Sequence, residues 1–339
     1  MIKTALGAAI GAAFLVSSAV AEATHTILDW ADLPGWDSDD HTAALAVFTN
    51  TCGDLDAEWD GVCALAKSGL PAKAVFERAF LPVLIEDGET PLFTGYFEPE
   101  LVGSRVRTQT FRYPLNKPPP ELPRGQWLSR AEIEKSGVLA GRGLEIAWLA
   151  DPVDKFFLQI QGSGRIRLPD GSGLRVGYAA KNGHPYRSVG NEMVRRGLLP
   201  EHQVSAGMIR RFVADNPALG EQLLHTNPSY VFFREVSKVP AHLGPLGAMN
   251  RSITPGRSIA VDPEYTPLGA PVWVEKAGEE PFRRLMVAQD TGSAIKGAQR
   301  ADVFFGTGNE AGEAAGRVRD RGRMVVLLPI DMALAKAGG

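Results

Sequence analysis

Apolar positions in this 339-residue chain fall into two rhythms. Between 38 and 80 they recur at helical spacing. DSDDHTAALAVFTNTC opens with Ser38 or Asp39 as a cap and lines one face with Leu45 and Phe48. A second helix starts at Pro71 and carries Val75, Phe76 and Phe80. From about 92 onward the apolar text comes in short runs. LFTGYFEPELVGSRV reads as a strand entering a turn, and the prolines of PLNKPPPELPRG exclude helix interior and central strand. Ser129-Arg130-Ala131-Glu132 has the spacing of a capping box, which predicts a short helix. EIAWLA, KFFLQIQGSGRIRL and GLRVGYAA read as strands. Within them Phe157, Gln159, Ile160 and Gln161 suggest a sheet with one polar face. Helical text fills 186–225, interrupted at Pro200 and Pro217, and SYVFFREV reads as a strand.

The last hundred residues keep the short-run rhythm. RSIAVDPEYTPLGAPVWVE predicts strand, turn and strand, and RRLMVAQDTGSAIKG predicts a strand leading into a glycine-punctuated loop. ADVFFGTG follows, then an alanine-rich helix over 310–316, then RMVVLLPI as a closing strand. Several short strands with brief turns favour a small barrel or sandwich.

The first residues change this picture only by subtraction. Lys3, an uncharged run from Ala5 to Ala21 and the small-x-small Ala19-Val20-Ala21 read as a signal peptide over 1–21. No cysteine lies near the expected cut, so no lipoprotein anchor is expected. The mature chain is of two-domain length. Formal net charge is −3, which gives no electrostatic reason to expect nucleic acid. The two cysteines, Cys52 and Cys63, are close in sequence, and in an exported protein they favour a disulfide, with buried free thiols as the alternative. The six histidines match no zinc spacing, and no metal, nucleotide or organic cofactor is indicated.

Three aspartates then stand out. Asp262 follows SIAV, Asp290 follows LMVAQ and Asp302 precedes VFF, so each places a carboxylate at the end of an apolar strand. Rigid scaffolds commonly present functional groups at such ends, although any single aspartate there is better explained as a turn or helix cap. The run Val-Asp-Pro, Pro-Leu-Gly, Asp-Thr-Gly-Ser-Ala-Ile-Lys-Gly and Arg-Ala-Asp-Val-Phe-Phe-Gly resembles the three-aspartate (3D) domain of the MltA family. The family comprises membrane-bound lytic murein transglycosylases that cleave peptidoglycan. TGYFEPELVGSR, FFLQIQGSGRIRL, NGHPYRSVG and NPSYVFFRE extend the resemblance over about 90–335.

The resemblance implies a mainly β fold with flanking helices. A double-psi β-barrel would be formed by 22–97 and 237–339, with a second, smaller β-rich domain inserted at 98–236 and a glycan groove between the two. It implies a peptidoglycan lytic exotransglycosylase, a carbon–oxygen lyase with Asp302 as acid and base and with Asp290 and Asp262 supporting the site. Peptidoglycan glycan strands are the implied substrate, and other wall-remodelling enzymes are candidate partners. The implied location is the periplasm of a Gram-negative bacterium, peripheral to the outer membrane. Candidate sugar-binding residues are Thr94, Tyr96, Gln161, Ser163, Tyr186, Ser188, Gly292, Lys296 and Gly297. Trp148 and Trp273 fit core packing better than sugar stacking, given their apolar neighbours.

In the implied reaction the muramic acid's own C6 hydroxyl attacks C1, closing a 1,6-anhydro sugar, so one carboxyl group can act first as acid and then as base. An ordinary aspartate has a pKa near 3.9, so Asp302 has to rise to roughly 6, about 2.8 kcal/mol, through burial beside Val303, Phe304 and Phe305 or repulsion from Asp290. Arg300 would oppose that rise, and is therefore expected to face away from the carboxyl or toward the glycan. Rival readings are ordinary glycan hydrolysis, a non-catalytic glycan-binding protein, and an aspartic protease. The last is disfavoured by the single Asp-Thr-Gly in a chain this long.

Overall fold

A computed structural model describes residues 23–338. The segment read as a signal peptide lies outside the described residues. The chain begins one sheet, leaves it to build a second, and returns. β1 (Thr24–Ile27), β2 (Phe80–Glu86) and β3 (Leu92–Glu98) belong to the first sheet. β4 (Glu100–Ser104), β5 (Tyr113–Asn116), β6 (Glu145–Leu149), β7 (Ser163–Arg167), β8 (Gly173–Lys181) and β9 (Val231–Glu235) make the second. β10 (Ser258–Val261), β11 (Pro271–Lys276), β12 (Phe282–Thr291), β13 (Arg300–Thr307), β14 (Arg319–Asp320) and β15 (Gly322–Pro329) complete the first. The result is mainly β, with helices flanking a nine-stranded sheet and a smaller six-stranded one.

The nine strands run in the order β1-β2-β15-β11-β12-β10-β13-β3-β14. Most pairs are antiparallel, but β10 lies parallel to β12 and β13 parallel to β3, the mixed pairing that the double-psi expectation requires. Every residue of β10 is buried, as are Leu285 to Gln289 of β12. That explains why these strands read as continuous apolar runs rather than as an alternation. Their core takes in Trp273 at 0% exposure, so the packing reading of that residue holds. Trp148 is only half-buried and lines a cavity of the second sheet.

The two early helices form as expected in type, with adjusted caps. The first spans His41–Thr51, and its cap is Asp40, whose carboxylate accepts from the Ala43 amide. Asp39 instead meets Arg257 and the Leu285 amide. The second spans Ala72–Ala79, and Phe80 already belongs to β2. Cys52 and Cys63 are joined as a disulfide. The capping box at Ser129 and Glu132 starts the helix Arg130–Ser136. Asn309–Arg317 is the alanine-rich helix.

Three expectations are corrected. The text read as one strand entering a turn at 92–105 is two strands in different sheets, β3 and β4, parted by Pro99. KFFLQIQ is not strand but the helix Pro152–Gln161, capped by Asp151 and stopped at Gly162 with φ 78°. Asp151 accepts from the Val153 amide, and Pro152 supplies the preset φ of a first helical residue. Only Ser163–Arg167 of that stretch is strand. Pro217 likewise starts the helix Pro217–Leu224 instead of merely interrupting one.

Candidate active site

Two of the three aspartates are brought together by strand register. Ala260 in β10 pairs with Asp290 in β12 on one side and with Asp302 in β13 on the other, and Asp302 pairs in turn with Thr94 in β3. Register partners project to the same face of a sheet, so this row carries both carboxylates to one surface. That surface lines a groove of about 560 Å³ between the sheets. Gln161, Ser163 and Tyr178 face it from an inserted helix and strands, Tyr186 from the loop after β8, and Gly292 from the loop after β12.

The two carboxylates differ in their hydrogen bonds. Asp290 accepts from the Tyr96 hydroxyl at 3.0 Å on Oδ2, and from the Ala248 and Thr291 amides at 3.0 and 2.9 Å on Oδ1. Both of its oxygens are occupied. Asp302 accepts only from the Thr94 hydroxyl, at 2.6 Å on Oδ1, and Oδ2 has no hydrogen-bond partner among the described residues. Arg300 donates to Thr94 Oγ1 at 2.9 Å and to the Ala301 carbonyl at 2.6 Å. Because the Thr94 oxygen receives the guanidinium N–H, its own proton is free to go to Asp302. No Arg300–Asp302 ion pair forms among the described residues, but the guanidinium does not turn away: it is held beside the carboxyl through Thr94, where its charge acts on Asp302.

Burial raises the pKa of both carboxyl groups. At Asp302 it outweighs the Thr94 hydrogen bond and the Arg300 charge, which pull the other way. At Asp290 burial, with the charge of Asp302 adding to it, lifts the value to about 6 against the donors that hold it. Burial likewise keeps the Tyr96 hydroxyl well above its ordinary value, so it stays a donor. Phe304, buried and two residues further along the same strand, lies on the same face as Asp302 and supplies part of its apolar surroundings.

Asp262 has a different task. It is 2% exposed at the end of β10 and accepts from Lys296 Nζ and the Gly297 amide, each at 3.0 Å. Burial pushes its pKa up, but the Gly297 amide, the Lys296 side chain and the Glu264 amide together hold it below the usual carboxylate range. Lys296 and Gly297 therefore hold Asp262 and do not line the groove. This contact pins the loop that carries Gly292 to Ile295 onto the groove wall. Ser188 is also spent elsewhere, capping the helix Val189–Arg195 by accepting from the Asn191 amide. Thr94 and Tyr96 stand behind the aspartates, and Gln161 accepts from the Phe97 amide at 3.1 Å.

Sequence reasoning missed Glu98, which is 0% exposed at the end of β3. Arg165 of β7 lies 2.8 Å and Arg175 of β8 3.1 Å from its carboxylate, and Thr307 of β13 donates to it at 2.9 Å. This cluster ties the two sheets together. Its partners are distant in sequence, and Glu98 looks like a surface residue before a proline, so no local signal points to it. Gln159, 4% exposed on the groove side, was likewise not singled out as a site residue.

Residues 92–234 match the family model of the MltA specific insert domain, and residues 257–328 match the 3D domain. A crystal structure of a membrane-bound lytic murein transglycosylase from Agrobacterium tumefaciens is 33% identical, with TM-score 0.82, covering 92% of this chain and 99% of that one. The chain belongs to the MltA family. MltA from Neisseria gonorrhoeae is 34% identical with TM-score 0.76, covering 91% of this chain and 93% of that one. E. coli MltA with bound chitohexaose is 28% identical with TM-score 0.74, covering 90% and 94%. The curated membrane-bound lytic murein transglycosylase A of E. coli is 37% identical over 245 residues, 69% of this chain, and the match spans 65% of that relative's length. Within this MltA-family chain all three aspartates fall in the 3D match, while Thr94, Tyr96, Gln161, Ser163 and Tyr186 fall in the insert match. The groove is built where the two matches meet.

Proposed function

We propose that this chain is a lytic transglycosylase of peptidoglycan. Glycan strands lie in the groove, and the β-1,4 bond between N-acetylmuramic acid and N-acetylglucosamine is cleaved without water, leaving 1,6-anhydromuramic acid ends. The observation that carries this reading is Asp302, a carboxyl raised in pKa by burial, with Oδ1 steadied by Thr94 and Oδ2 beside the groove without a partner among the described residues. Protonated Oδ2 gives its proton to the bridging oxygen as that bond to C1 breaks. The C6 hydroxyl of the same sugar then attacks C1, and Oδ2 takes the hydroxyl proton back, so the enzyme ends as it began. Holding nucleophile and electrophile in one ring supplies much of the orientation advantage.

Asp290 supports the site by anchoring the wall rather than by activating water, because donors already occupy both its oxygens. Asp262 supports it at one remove, through Lys296 and Gly297. The chain's excursion into the six-stranded sheet supports dividing it into a barrel formed by 22–97 and 237–339 with 98–236 inserted. Export to the periplasm belongs to this reading and rests on the 1–21 leader. Curated relatives are named membrane-bound, and among the described residues no helix is long and apolar enough to cross a membrane.

Mass spectrometry of digested peptidoglycan tests the proposal. Anhydro ends are expected, and Asp302→Asn should lose their release by about 10²–10⁴-fold while still binding glycan. Reducing ends would mean hydrolysis instead, and undiminished turnover by the variant would remove Asp302 from the chemistry.

A further inference from the structure

A second cavity, of about 1040 Å³, is larger than the groove and adjoins it at Arg130. It opens beside β5 and β6 of the inserted sheet, and neither Asp290 nor Asp302 lines it. Its inner wall holds an uneven set of buried charges. Arg130 and Lys155, with side chains 3% and 7% exposed, share the single carboxylate of Glu134, at 3.7 and 2.8 Å. The His225 Nε2 also contacts Glu134, at 2.9 Å. Two buried cations against one carboxylate leave a positive surplus, which is costly away from water. Stacking offsets part of that cost, since Arg130 lies 4.8 Å from the Phe156 ring and Lys155 5.0 Å from the Tyr230 ring.

Two further observations point the same way. Asn116, 3% exposed in the same wall, accepts from the Tyr230 hydroxyl at 3.2 Å, but its amide nitrogen has no partner among the described residues. Turning the amide over would only exchange which of its atoms is unmet. At the rim, Arg107 lies 5.9 Å from the Trp148 ring and Arg112 5.6 Å from the Tyr113 ring. Both arginines are exposed, and neither is paired with a carboxylate among the described residues. The rest of the wall mixes small apolar groups such as Ala140, Ala214 and Ala218 with the carboxylates of Glu145, Asp151 and Glu221, of which Asp151 is paired with Arg210 and Glu221 lies 4.0 Å from His225.

We propose that this cavity is a second binding site, for a short carboxylate-bearing peptide with small apolar side chains. A carboxylate would neutralise the buried surplus or pair with the rim arginines, and methyl groups would fill the alanine-lined space. That the peptide is one carried by peptidoglycan rests on the function proposed above; the preference for a carboxylate does not.

Titration calorimetry of the full chain tests it with alanyl-γ-glutamate, the same dipeptide with its carboxyls amidated, and chitohexaose as probes. The acidic dipeptide should bind the parent and Asp302→Asn alike. The double variant Arg107→Ala, Arg112→Ala, altered only at exposed positions, should bind it at least about fivefold more weakly. The amidated dipeptide should not bind. No binding by the acidic dipeptide, equal binding of the amide, or displacement by chitohexaose would each overturn the site. Release of anhydro ends from peptide-free glycan, measured in parallel, reports on the enzyme reading alone. Its failure would leave the calorimetry standing, and the reverse holds too.

Discussion

Asp290 and Asp302 are the two neighbours of one residue, Ala260, across three adjacent strands. At a strand spacing near 4.8 Å their Cα atoms are about 10 Å apart, and both side chains leave the same face. No hydrogen bond joins the two carboxyl groups. They share a surface but not a proton, and their separate partners give them separate roles.

A pH profile can read the first of these roles. Asp302 has to be protonated to act as an acid, so turnover falls as pH rises through its pKa. The charge of Arg300 opposes the rise that burial causes. Arg300→Gln removes that charge, so the alkaline limb of the kcat profile should move to higher pH. A move to lower pH would show that Arg300 does not act on Asp302 through charge.

Stability against pH can read the second. Asp290 has its folded value near 6 against an ordinary 3.8. Between these values the folded chain holds a proton that the unfolded chain has released, so stability falls as pH rises. Above about 6 the full penalty applies, about 3 kcal/mol for a two-unit rise. Asp290→Asn should therefore be more stable than the parent near pH 8 by up to about 3 kcal/mol, with the advantage gone near pH 4. Urea unfolding at both pH values checks it, and a less stable variant at high pH would contradict the sign.

The carboxylate between the sheets gives a third prediction. Glu98→Ala leaves Arg165 and Arg175 without their shared counter-charge and should cost about 3–5 kcal/mol. The lost tie runs between the two walls of the groove, so KM for glycan should rise in whatever folds. Denaturant unfolding and steady-state kinetics measure the two effects; an unchanged midpoint would rule out the tie.

Much of the site was legible because strand-end aspartates leave a local mark. SIAV, LMVAQ and VFF are buried on both faces, and each run stops at or starts from its carboxylate. Helix caps were legible for the same reason, as Ser129 and Glu132 act within one turn. The helix Pro152–Gln161 was misread because Phe156, Phe157 and Ile160 favour strands, although Asp151, Pro152 and Gly162 mark a helix start and stop. Glu98, Arg165 and Arg175 were out of reach for another reason. Their meeting depends on where the inserted sheet lands, and nothing near any of them in sequence records that.

The sealed position of Glu98 bears on how the groove responds to its medium. Mobile ions screen charges that they can approach, and they are kept away from a carboxylate with no exposed surface. The spacing between the two walls should therefore hold from dilute buffer to concentrated brine, while the solvent-facing ion pairs elsewhere on the molecule loosen.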